Sequence, residues 1–167
     1  EGGRLAAKHL FQSGGKTFGV VCTNIAEKGV SQERFNGFST FLKKNQISIE
    51  PENVFQGYPS YEYGLQIAES IMNNKIDSVF ASSDMLAFGI IEGLKKRGIH
   101  VPKDVSVIGF DGLFVTELSS PKLTTIKQNI QEKGREAVDL ILKVRENKEY
   151  RERVVLPVSL QKKESVK

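Results

Sequence analysis

The segment Val105-Ser106-Val107-Ile108-Gly109-Phe110-Asp111-Gly112 restricts the fold of this chain more than any other. A β-branched run of this kind fits a strand buried on both faces, as the strands of parallel sheets are. The run ends in a carboxylate followed by glycine. Ligands of open parallel sheets bind outside the carboxyl ends of the strands. Asp111 is therefore expected at the rim of a ligand crevice.

The remaining pattern alternates helices with short apolar strands, which predicts an α/β fold: a parallel sheet with helices on both faces. Helices are expected over Arg4–Gln12, over a stretch capped by Ser31 with the stripe Phe35, Phe38, Phe41 and Leu42, over Tyr61–Asn73 and over Met85–Arg97. Gly14 and Gly98 supply helix stops. Strands are expected over Thr17–Cys22, Asn53–Gln56, Ser78–Ala81 and Val105–Phe110, with right-handed crossovers between them. After a long connection, Leu113–Lys122, a strand is expected over Leu123–Lys127. Asn129, with Glu132 three residues on, caps a helix whose stripe is Ile130, Ala137, Val138, Ile141 and Val144. Arg151–Leu160 reads as an edge strand interrupted by Pro157. The last residues, with Lys162, Lys163 and Lys167, read as a solvated tail.

The chain has 167 residues, enough for one domain with a real core. Its net charge of +4 comes without a dense basic block, which fits a solvated surface better than a nucleic-acid footprint. The single cysteine, Cys22, lies in an apolar run and reads as a small core residue, consistent with a reducing, cytoplasmic compartment. No apolar stretch reaches the ~20 residues of a membrane span, and no signal peptide is present. The chain opens on Glu1 inside what reads as a helix, as a piece of a longer protein would.

Six blocks, in order, resemble the effector-binding domain of the lactose-repressor family of bacterial transcription regulators. They are Gly2-Gly3 with Ala6, His9, Leu10 and Gly14; Arg34-Phe35-Asn36-Gly37-Phe38; Ser83-Asp84 with Ala87 and Gly89; Val101 to Asp111 through Pro102-Lys103-Asp104; Leu123-Thr124-Thr125-Ile126-Lys127-Gln128; and Leu156-Pro157-Val158-Ser159-Leu160. The fourth and fifth together are the most specific. The resemblance implies a periplasmic-binding-protein-like fold of two α/β lobes with a ligand between them. This chain would be the second lobe, 1–121 with 152–163. Residues 122–151 would cross back to the first lobe, and 164–167 would be the tail. A helix-turn-helix headpiece and most of the first lobe would precede Glu1. Without that lobe, the apolar face of Ile130, Val138 and Ile141 is expected to re-dock or to pair with another chain.

The resemblance also assigns residues. Arg34 falls on the ligand-contacting arginine, and its guanidinium fork suits paired hydroxyls or a carboxylate; from sequence alone it could equally be a solvated helix residue. Asp111 can accept two sugar hydroxyls, or form an Asx-turn into Gly112. Ser83 and Asp84 stand where the family has Asn-Asp. A helix N-cap is the plain reading, and serine is shorter than the family's ligand-reaching Asn. Tyr58 is the candidate ring platform, one residue from the family's aromatic position, which Pro59 occupies here. Phe110 reads as core, and Ile130 is a weak pocket candidate. Phe88, Phe114 and Leu118 lie on the face through which family members dimerise, or else in the internal core.

No cofactor is implied. His9 and His100 are far apart and lack metal-ligand spacing. There is no nucleophile elbow, P-loop or dinucleotide fingerprint. The expected function is effector sensing by a repressor-type regulator: a small, sugar-like molecule binds between the lobes of a homodimer, and DNA is bound only through the headpiece. The alternatives are a transporter's solute-binding protein and an α/β enzyme using Asp111, the latter requiring a second catalytic group beside that carboxylate.

Overall fold

The computed structural model describes residues 1–167. In chain order its elements are α1 (Gly2–Gln12), β1 (Phe18–Cys22), α2 (Val30–Lys44), β2 (Val54–Gln56), α3 (Tyr61–Asn73), β3 (Ser78–Ala81), α4 (Asp84–Lys95), β4 (Ser106–Asp111), β5 (Thr125–Gln128), α5 (Ile130–Glu146) and β6 (Val158–Gln161). The strands make one six-stranded sheet ordered β2-β1-β3-β4-β5-β6. All neighbours are parallel except β5 and β6.

Every residue of β1 and β3 is buried, as are Ser106 to Phe110 of β4. Their side chains alternate between two cores. On one face Phe18, Val20, Phe80, Ile108 and Phe110 pack beneath α1 and α2 through Leu10, Phe38 and Leu42. On the other, Val21, Val79, Ala81 and Val107 pack beneath α3 and α4 through Ile71, Leu86, Ile90 and Leu94. A strand covered twice has no polar side to show, which is why these runs carry no solvent-facing alternation. The chain adds β2 on one side of β1 and β3 on the other. The covering helices change face at that reversal, as crossovers of one hand require. The gap between β1 and β3 is thus the topological switch point.

Close helix contact explains several glycines. A Cβ at Gly64 would stand 2.3 Å from the Leu86 carbonyl oxygen, and one at Gly89 only 2.0 Å from that of Tyr61. The α3–α4 crossing therefore excludes any side chain at these positions.

The chain departs from expectation in four places. First, β5 does not leave the lobe: it pairs in parallel with Gly109–Asp111 and is an integral sheet strand. Second, the terminal residues are not a free tail. Because β5 pairs only from Gly109 onward, Val107 needs another backbone partner. Ser165, fully buried, provides one: its carbonyl accepts from the Val107 N–H at 2.8 Å, and its hydroxyl donates to the Val107 carbonyl at 2.6 Å. Lys163 is held at 2.8 Å from Glu117. Third, the edge strand β6 is shorter than expected and starts only after Pro157, which has no N–H to give the ladder. Fourth, Ser31 does not cap α2; the helix starts at Val30, and the Ser31 hydroxyl bonds that of Thr23. Asn129 does cap α5, accepting from the Glu132 N–H. That helix has no buried residue, and Ile130, Val138 and Ile141 remain exposed, so no re-docking occurs within the chain.

Asp84 was expected in the ligand site, but it is fully buried. Oδ1 accepts from the Thr125 hydroxyl at 2.6 Å and Oδ2 from the Leu113 N–H at 2.8 Å. The carboxylate ties the start of α4 to β5 and to the turn after β4. Burial pushes its pKa up to about 6, against the opposing pull of those hydrogen bonds.

Gly89→Ala should cost about 1–3 kcal/mol in urea unfolding by overpacking. Gly134→Ala, where a Cβ meets nothing within 4 Å, should instead raise the helix content of α5 in far-UV circular dichroism. As for Asp84, an acid whose pKa is raised by folding binds more protons folded than unfolded between the ordinary carboxylate value and about 6. Its contribution to stability is therefore greatest at low pH and declines as pH rises through that window. Relative to Asp84→Asn, the unsubstituted chain should gain stability as pH falls from about 7 to about 4.5, by on the order of 2 kcal/mol.

Candidate functional site

The carboxyl ends of the parallel strands share one edge of the sheet. Thr23 follows β1 there, Gly57 and Tyr58 follow β2, Ser82 and Ser83 follow β3, Asp111 ends β4 and Gln128 ends β5. Arg34 reaches the same edge from the second turn of α2.

Its backbone is set by the α1–α2 crossing. At Gly3 a Cβ would stand 1.9 Å from the Arg34 carbonyl oxygen, so only glycine permits this approach. The side chain then extends over the sheet edge. The guanidinium carbon stands 3.7 Å above the centre of the Phe110 ring, a cation–π contact. One nitrogen donates to the Ser82 carbonyl, across the switch point. Another donates to Asp111 Oδ1 at 3.4 Å. Gln128 Nε2 donates to the same oxygen at 2.6 Å. Both bonds fall on Oδ1, and Oδ2 makes none.

The side chains of Arg34 and Asp111 are 15% and 24% exposed, so the pair is partly withdrawn from water. Burial raises the Asp111 pKa, and Arg34 and Gln128 oppose that rise. Burial lowers that of Arg34, against the pull of Asp111, but a guanidinium stays charged throughout the ordinary pH range. The arrangement is a paired ion with one carboxylate oxygen uncommitted. Asp111 also has φ of 117° and Gly112 φ of 75°. Side-chain-bearing residues rarely occupy that region, and holding one there costs on the order of 1–3 kcal/mol. Such outliers gather where a side chain must be aimed.

The structure brings together Arg34 and Asp111, two of the candidate ligand residues, and adds three partners. Gln128 lies at the end of the fifth block, yet its role is visible only once β5 is known to lie beside β4. Phe110 is core on one side and a platform for Arg34 on the other. The Ser82 carbonyl has no side-chain signature. Ser83 stays at the strand edge, but its hydroxyl accepts from the Leu86 N–H at 3.3 Å and caps α4. Asp84 points inward, as described above. Tyr58 is 80% exposed and lines a separate depression of about 530 Å³ with Thr23, Asn24, Gln56 and Pro59. A smaller crevice of about 140 Å³ is lined by Gly3, Val30, Glu33, Arg34, Phe110 and Gln128. Phe88 packs partly against the α3–α4 core. Phe114 and Leu118 are exposed at 77% and 69%, on the connection that follows Asp111.

Comparison with known proteins gives concordant results. Residues 7–166 match the model of the periplasmic binding protein-like domain. The HTH-type transcriptional repressor PurR of Haemophilus influenzae (strain PittEE) is 32% identical over 144 residues, 85% of this chain and 43% of that protein. The chain thus spans less than half the length of this curated relative. Among solved structures, a LacI family transcriptional regulator from Enterococcus faecium with bound ribose superposes with a TM-score of 0.88 at 33% identity, over 99% of this chain and 62% of that one. The lac repressor dimer, bound to operator and the anti-inducer ONPF, superposes with a TM-score of 0.88 at 27% identity, over 99% of this chain and 57% of that one. The chain belongs to the periplasmic binding protein-like domain family.

Proposed function

We propose that this chain is the effector-sensing part of a bacterial DNA-binding transcription regulator of repressor type, and that it binds a sugar-like small molecule in a cleft between two lobes. The observation that carries this reading is the Arg34–Asp111–Gln128 group at the strand ends. A carboxylate with one free oxygen accepts hydroxyl hydrogens, while the guanidinium and amide donate to hydroxyl oxygens. Vicinal hydroxyls offer both at once. The ribose-bound Enterococcus faecium regulator shares the fold at 33% identity. The first lobe and the DNA-reading headpiece belong to the remainder of the protein, which is cytoplasmic in this reading. Ser83 and Tyr58 are secondary contacts, Ser83 from the strand edge and Tyr58 as a platform for a ring. Asp84 supports the site from behind.

Binding rather than catalysis is favoured by the surroundings of Asp111. Its bonds come from Arg34 and Gln128, and the nearby carboxylate of Asp84 is already committed to Thr125 and Leu113. The exposed Phe114 and Leu118 and the half-buried Phe88 form the apolar part of a homodimer face.

In calorimetric titration of the full-length protein against ribose and a panel of pentoses and hexoses, at least one sugar should bind. Asp111→Asn and Arg34→Lys should each weaken that binding about ten- to hundredfold, the cost of one charge-assisted hydrogen bond or more. Tyr58→Ala should weaken it less. If no sugar bound or raised the melting temperature, the sugar reading would be wrong. In sedimentation, Phe114→Asp with Leu118→Lys should shift a dimer toward monomer; an unchanged dimer would place the interface elsewhere.

A further inference from the structure

The segment between Asp111 and Phe114 is very short. Asp111 faces the ligand edge, and Phe114, 77% exposed, opens the apolar connection toward Leu118. Only Gly112 and Leu113 separate them. Asp111 and Gly112 both have positive φ, so the chain reverses sharply here. Nothing in β4 enforces this reversal, because the β4–β5 ladder ends at Asp111. What holds it is the buried Asp84 carboxylate. Oδ2 accepts from the Leu113 N–H at 2.8 Å. Oδ1 is fixed to the Thr125 hydroxyl, and Gly109 leaves the space that Oδ1 fills: a Cβ there would stand 2.4 Å from it. The first residue of α4 is thereby locked to β4, to β5 and to the turn.

We propose that Asp84 is the positioning residue of the ligand site, fixing the Gly112–Leu113 turn so that Asp111 keeps its strained orientation and any ligand-driven shift of Asp111 passes to the apolar segment beginning at Phe114. This rests on the reading of Asp111 as a ligand contact. The carboxylate accepts from the Leu113 N–H and the Thr125 hydroxyl at once; an amide at this position would turn an N–H₂ toward one of these donors. The peptide between Gly112 and Leu113 is then released, and the strain at Asp111 relaxes. Leu113 has φ of −65°, the value a proline ring imposes. Leu113→Pro therefore deletes the N–H that Asp84 holds while matching that φ and keeping the Leu113 carbonyl, which accepts from Thr116.

The test combines residue-resolved hydrogen exchange with effector titration on the full-length protein carrying Asp84→Asn, Leu113→Pro or the control Ile90→Val. Ile90 is a buried residue of the same helix, packed in the apolar core, and its truncation lowers stability by packing alone. Asp84→Asn should speed exchange at Gly112 and at Phe114 to Thr116 at least about tenfold and weaken sugar binding by a similar factor. Leu113→Pro should do the same at the remaining amides, which keeps the test decisive if the buried substitution prevents folding. Ile90→Val should lower the melting temperature with affinity and exchange in the turn unchanged. Unaltered exchange at residues 112–116 in both turn variants would overturn the proposal, as would weakened binding in Ile90→Val equal to theirs. If the unsubstituted protein bound no sugar, the functional reading would fail, and exchange alone would decide whether Asp84 holds the turn.

Discussion

A carboxylate half withdrawn from water needs a cation, and this fold brings one to Asp111 from 77 residues away in sequence. Much of the architecture serves that encounter. Strand β4 is central, so Asp111 ends in the middle of the sheet edge rather than at its flank. Helix α2 must cross α1 closely enough for Arg34 to reach over the edge, and the absence of a side chain at Gly3 makes that possible. Phe110 continues upward from the core to give the guanidinium a flat surface. Remove any of these and a buried charge loses its partner, which costs more than the pair itself contributes.

The pair is poised rather than saturated. Two donors share Oδ1, and the positive φ of Asp111 holds the side chain against the backbone's own preference. A ligand hydroxyl that bonds Oδ2 adds to this arrangement without displacing a protein contact. Behind it, Asp84 is a second buried carboxylate with no cation of its own, satisfied by a hydroxyl and by a backbone N–H. Such a group strongly favours one local geometry, because any other leaves it unsolvated. Two acids close in space thus divide the work: one faces the ligand edge, the other fixes the turn that aims it.

The sheet and its helices were legible because strands covered on both faces leave continuous apolar runs, and helices with one covered face leave stripes. Arg34 and Asp111 were legible as residues but not as a pair with Gln128, since only the placement of β5 beside β4 brings Gln128 within reach. The readings that failed share a cause. Lys162 to Lys167 look solvated by composition, yet Ser165 is recruited by the unpaired backbone of Val107, a demand set by where β5 begins. Asp84 sits where a cap or ligand contact is expected, but its burial follows from the space left by Gly109, a tertiary effect with no local sequence signal. The stripe of α5 is apolar, as its spacing predicts, and stays exposed. Sequence periodicity says that a face seeks cover, not what covers it.

A double-mutant cycle for effector binding tests the central claim most directly. Affinities of the full-length protein would be measured for the unsubstituted form, Arg34→Lys, Asp111→Asn and the double variant. If the two residues read one ligand as an ion-paired unit, the double variant should bind only slightly more weakly than the worse single variant, a coupling of about 1 kcal/mol or more. Strictly additive losses, or no loss in either single variant, would contradict the account.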